Sequence, residues 1–182
     1  MTNTDAVNIY NRAILLSQNG RVQEAILALD SAIQIDNNFM EAWFLKGNIL
    51  DDTGNYNAAI MCFNKVLSIN PNLPTVWFNR AMSMLNSQRY QESVESANKA
   101  VELSPNFYQA WNTKASALQM LSRNNEAITC YVKAIKIKPD DEVTIQNLLG
   151  LFLMVANDDR VLQKISDEDM KVIEKIIQSL KK

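Results

Sequence analysis

Hydrophobic and small residues recur along the chain in two sets with helical spacing, and the pair of sets repeats every 34 residues. Trp43, Trp77 and Trp111 head the first set, with Ile9 one period earlier and Ile145 one period later. Four residues on stand Ala13, Gly47, Ala81 and Ala115, and three further on Leu16, Leu50, Met84 and Leu118. The second set starts with Ala25, Ala59, Ser93 and Ala127. It continues through Leu29, Phe63, Ala97 and Tyr131 to Ala32, Val66, Ala100 and Ala134. Steps of four and three residues return to one face of an α-helix, so each unit predicts two helices. Asn19-Gly20, Thr53-Gly54-Asn55, Ser87-Gln88-Arg89 and Ser122-Arg123-Asn124 fall between the sets as turns, and glycine in the first two suits a left-handed helix end. Pro71, Pro105 and Pro139 close later units, where the first unit has Asn37.

This pattern resembles the tetratricopeptide repeat family, whose 34-residue signature runs W-x2-L-G-x2-Y, then A-x3-F, then P. Counting three residues back from each Trp position gives units at 6–39, 40–73, 74–107 and 108–141, after an N-terminal tail at 1–5. The resemblance implies an all-α fold, a right-handed superhelical solenoid of antiparallel helix pairs, in which each unit buries its faces only by stacking on its neighbours. Residues 142–165 predict a degenerate fifth repeat, with Ile145 in the Trp position and a short apolar segment at Val161, Leu162 and Ile165. Ser166 and Asp169 then form a capping-box-like start for a last helix over 166–182. Met170, Ile173, Ile176, Ile177 and Leu180 lie on one stripe of it. That stripe suits a capping helix over the last repeat, or a docking face for a partner or a second copy.

Successive residues of an α-helix point about 100° apart. With the Trp position, slot 4 of the unit, taken as inward, slots 2, 5, 6, 9, 12 and 13 lie between about 80° and about 200° away. In the family this side of the first helix lines a concave groove where ligands lie. The candidate peptide-binding residues are therefore Tyr10, Asn11, Phe44, Asn48, Phe78, Asn79, Met82, Asn112, Ser116 and Asn147. Carboxamides donate and accept at once, so the asparagines suit main-chain amides of any sequence, and they equally serve as soluble filler. Asn in slot 6, at Asn11, Asn79 and Asn147, resembles the asparagine ladder of some peptide-gripping members, interrupted here by Leu45 and Thr113. The family's carboxylate clamp for acidic chaperone tails needs cations where this chain has Phe44, Gln109 and Thr113, which argues against that ligand. Slot 7 holds Arg12, Lys46, Arg80 and Lys114, well away from the groove. Their stems can cover neighbouring helices while their charges reach water, or they form a ridge for an acidic partner.

Composition narrows the function further. The 182 residues hold 47% hydrophobic and 21% charged side chains, with only four Gly and four Pro, as suits one soluble helical domain. A net charge of -2 gives no general field for phosphates, so nucleic acid is not an expected partner. The polar start Met1-Thr2-Asn3-Thr4-Asp5 and the short apolar run Leu148 to Ala156 predict a cytoplasmic protein without membrane insertion. Histidine is absent, which removes the commonest general base and metal ligand. Cys62 and Cys130 occupy one slot two units apart, too far for a disulfide, and Asp51-Asp52 and Asp158-Asp159 point to different faces as solvated or capping charges. No enzyme activity, cofactor or metal is expected. The expected function is a protein-interaction scaffold holding a protein or peptide in its groove. The alternative is a self-associating assembly protein that forms a homo-oligomer through residues 142–182, where Leu148, Leu149, Leu151, Phe152, Leu153 and Met154 cluster.

Overall fold

The computed structural model describes residues 3–179, and all regular structure among them is helical. Four antiparallel pairs follow one another: α1 (Asn3–Gln18) with α2 (Val22–Ile35), α3 (Met40–Asp52) with α4 (Tyr56–Ile69), α5 (Pro74–Asn86) with α6 (Tyr90–Leu103), and α7 (Tyr108–Met120) with α8 (Asn124–Ile137). Then come α9 (Glu142–Val155), the single turn α10 (Asp159–Leu162) and α11 (Asp167–Ser179). Each element packs chiefly on its neighbours in sequence, and from α3 onward the first helices also touch the first helices of adjoining units. The helix α1 starts at Asn3, inside the segment expected as a tail; Asp5 lies in its first turn, where a carboxylate complements the helix dipole.

Each pair closes with the same turn. The amide N–H groups of Arg21, Asn55, Arg89 and Arg123 donate to the carbonyls of Leu16, Leu50, Met84 and Leu118 at 2.8–2.9 Å. This is a Schellman closure, and it requires one left-handed residue. Gly20 (φ 72°) and Gly54 (φ 78°) supply it in the first two units, and Gln88 (φ 62°) and Ser122 (φ 58°) in the next two. In the fifth unit the corresponding Ala156 is right-handed (φ -58°), so α9 does not turn back into a long second helix.

The tryptophans stand at the unit boundaries, half-buried rather than enclosed. The indole N–H groups of Trp43, Trp77 and Trp111 donate to the carbonyls of Asn37, Pro71 and Pro105 at 3.0, 2.7 and 2.9 Å. The recurring Pro or Asn and the recurring Trp are thus two ends of one link between consecutive units. Small slot-8 residues let helices close up. A Cβ on Gly47 would meet the buried Phe63 ring at 2.6 Å.

The C-terminal end is sealed by α11. Ile173 is wholly buried there, in a core shared with Ile128, Val132, Leu148 and Leu151, and Met170, Val172, Ile176 and Ile177 pack against it. Ser166 Oγ accepts from the Asp169 amide at 3.1 Å. The Asp169 carboxylate turns instead to Lys136 Nζ on α8, at 3.4 Å, so only half of the expected capping box forms. The Lys136 Nζ also donates to Glu168 at 2.6 Å. The expected α11 stripe is therefore a cap; Leu180, placed on the same stripe, lies outside the described residues.

Candidate functional site

Slot-6 and slot-9 side chains link the first helices α3, α5 and α7 to one another. Asn79 Nδ2 on α5 donates to Asn48 Oδ1 on α3 at 2.9 Å, which links slots 6 and 9 across two units. Each amide keeps a further N–H, and Asn79 keeps its carbonyl oxygen. Met82 is half-buried, and its sulfur accepts from Thr113 Oγ1 at 3.1 Å. Asn11 is exposed and Asn147 half-buried. The Oδ1 atom of Asn112 is enclosed and meets no donor among the described residues.

Other candidates serve the core as much as the surface. Tyr10 packs on Phe39 with ring centres 5.1 Å apart, Phe44 on Phe63 at 6.0 Å, and Phe78 on Phe107 at 4.9 Å. Phe44 still borders an apolar hollow of about 360 Å³, which it shares with Met40, Val66, Leu73 and Val76, and with Glu41 at its edge. Ser116 shares a 3.1 Å hydrogen bond with the buried Tyr131 hydroxyl, which donates onward to Gln119 Oε1.

One groove contact escaped the sequence reading. Asp51 is half-buried and accepts from Ser83 Oγ on α5 at 2.5 Å. Burial pushes its carboxyl above the usual range; the Ser83 bond opposes that and the neighbouring Asp52 adds to it. The available signal was Ser83 itself, a hydroxyl in a slot that holds Leu15, Ile49 and Ala117 elsewhere. It is fully buried.

The basic residues of slot 7 lie apart from this groove. Lys46, Arg80 and Lys114 stand over the rings of Trp43, Trp77 and Trp111, three residues back, at 5.7, 5.4 and 5.1 Å. Lys46 also bonds Asp30 of the preceding pair, and Arg80 Nε bonds Asn64 at 2.7 Å. These contacts give them structural roles of the expected kind and add an attraction between cation and ring. Both cysteines are free and buried, and burial pushes each thiol up to about 11. A thiol so placed is a poor nucleophile at neutral pH. Among the described residues no group of three or more Cys, Asp or Glu is placed to hold a metal ion. No helix among them is long and apolar enough to cross a membrane.

Family models described as tetratricopeptide repeat match residues 6–39, 41–73, 74–107 and 108–141, about three quarters of the chain. The chain belongs to the tetratricopeptide repeat family. No curated protein sequence matches it significantly. Among solved structures, MamA residues 41 to end from Desulfovibrio magneticus RS-1 is similar at TM-score 0.80 and 19% identity, covering 96% of both chains. YrrB, described as a tetratricopeptide repeat protein with an unusual peptide-binding site, is similar at TM-score 0.74 and 19% identity, covering 98% of this chain and 93% of that one. The first repeat domain of Spaghetti (RPAP3), bound to the HSP90 peptide SRMEEVD, is similar at TM-score 0.63 and 23% identity, covering 65% of this chain and 94% of that one. These likenesses establish the fold: a right-handed solenoid of four regular helix pairs, a decayed fifth and a cap.

Proposed function

We propose that this tetratricopeptide repeat protein is a non-enzymatic scaffold that holds an extended peptide, or an extended segment of a partner protein, along the groove of its first helices. The observation that carries the reading is the Asn48–Asn79 pair at 2.9 Å, which presents unspent amide donors and an acceptor at the junction of two units. Backbone amides of a bound strand match such groups in any sequence. Peptide binding by YrrB and by the RPAP3 domain lends support, since both share the fold. The acidic SRMEEVD type of ligand does not suit this chain, because Phe44, Gln109 and Thr113 stand where a clamp needs cations, and Thr113 is buried.

The test is affinity purification with tagged wild-type protein and an Asn48→Ala/Asn79→Ala variant, followed by mass spectrometry. A partner enriched on the wild type should fall about tenfold on the variant, equivalent to about 1.4 kcal/mol, with an unchanged melting temperature. Equal recovery would overturn the groove assignment. Self-association is the second reading, favoured by the exposure of Val143, Leu153 and Met154 on α9, at 60%, 73% and 63%. Light scattering across concentrations decides it, and a strictly monomeric mass rejects it.

A further inference from the structure

Charge is distributed unevenly along the groove. Across its slots on all five first helices there is no Lys or Arg, and the only ionised side chains are Glu41, Asp51 and Asp52. All three belong to α3. None of them forms an ion pair among the described residues; Glu41 and Asp52 lie open to water, whereas Asp51 is half-buried. Asp51 is the most confined of the three, held by Ser83 between α3 and α5 with Asp52 beside it. A ligand covering this place strips more water from carboxylates that have no counter-charge. A cation from the ligand offsets that cost; a neutral or acidic strand does not.

The other end of the groove has the opposite character. Met120 on α7 and Val143, Leu153 and Met154 on α9 fill groove slots and are exposed by 56%, 60%, 73% and 63%. Met120, Leu153 and Met154 fall at the C-terminal ends of the adjacent first helices α7 and α9, and large exposed apolar groups so placed mark a docking surface. The cap leaves them exposed, its Ile173 joining the core of Leu148 and Leu151 on α9 instead. Three helix steps separate α3 from α9, roughly 25 to 30 Å at 8–10 Å each. An extended strand crosses that span in about eight or nine residues at about 3.3 Å per residue.

We propose that the groove selects a peptide segment with separated ends, Lys or Arg lying against Asp51 and Asp52, and apolar side chains lying against Met120, Leu153 and Met154. This inference rests on the groove reading above and adds the chemistry of the partner to it. Complementary charge sets which partner is accepted and in which register it lies.

The test uses three fluorescein-labelled nonapeptides in anisotropy titrations of the full chain. The first carries three lysines at one end and three leucines at the other, the second replaces lysine with glutamate, and the third replaces leucine with serine. The Lys–Leu peptide should bind at least tenfold more tightly than either relative, and its affinity should fall as salt is raised. Asp51→Asn/Asp52→Asn should abolish the preference over the glutamate peptide and flatten the salt dependence. Leu153→Ser/Met154→Ser should weaken the Lys–Leu peptide severalfold while the charge preference persists. Unchanged melting temperatures show that each variant folds. Equal binding of all three peptides, binding of none, or Asp variants that behave as wild type would overturn the inference. Equal binding that is lost in Asn48→Ala/Asn79→Ala would leave the groove reading standing while this one fails.

Discussion

At the scale of single residues, one backbone position separates the units into two kinds. Gly20, Gly54, Gln88 and Ser122 occupy the same slot and the same left-handed conformation, yet only the first two lack a Cβ. For an L-residue that conformation costs roughly 1–2 kcal/mol, part of which a glycine returns through its freer unfolded chain. Neither the Gln88 nor the Ser122 side chain makes a hydrogen bond among the described residues that would offset the strain. Gln88→Gly and Ser122→Gly should each stabilise the protein by about 0.5–1 kcal/mol and raise its melting temperature by a few degrees. The gains should add, because the sites lie in different units. A loss of stability in thermal melts would mean that these side chains hold contacts the backbone geometry does not reveal. The glycines were legible in the sequence as helix ends. The strained pair was not, because glutamine and serine carry no such signature, and only the 34-residue register puts them in that slot.

At the scale of elements, the first eight helices follow from the register alone, whereas the C-terminal three do not. The repeat fixes where α1 to α8 pack, since every slot has a counterpart one unit away. Beyond α9 that guide ends, and tertiary packing decides: α10 is a single turn, and α11 crosses back onto α8. The amphipathic stripe on α11 showed that a helix would form there, but left open whether a cap or a partner would bury it. The Asn48–Asn79 and Asp51–Ser83 pairs were hidden for a related reason, because they join neighbouring units. Two attachments hold α11, and they differ in kind. Ile173 is fully buried, whereas Glu168 leaves 80% of its side chain exposed while paired with Lys136. In urea denaturation Ile173→Ala should cost about 2–4 kcal/mol, as for a buried Ile, and Glu168→Ala under about 1 kcal/mol. Equal effects would mean that charge, not burial, fixes the cap.

At the scale of the whole molecule, a solenoid has no single centre, and its stability is a sum of unit and neighbour terms. Those terms are unequal here. The largest continuous core joins Val94 of α6 to residues of α7, α8 and α9 and to Ile173 of α11. The N-terminal core spans only α1 to α3, and Ile9, Leu16 and Leu27 border an open hollow. Leu27 there is 65% exposed. Unfolding should therefore start at the N-terminal pair and spread inward, while the capped end opens last. Amide hydrogen exchange followed by mass spectrometry should show peptides from α7 and α8 protected longest and peptides from α1 exchanging soonest. The gradient bears on the groove, because its acidic part on α3 lies nearer the labile end and its apolar part on α7 and α9 in the stable half. A ligand bridging both should slow exchange in α1 to α3 more than in α7 and α8. Uniform protection along the chain, or a ligand effect confined to α9, would contradict this division of stability.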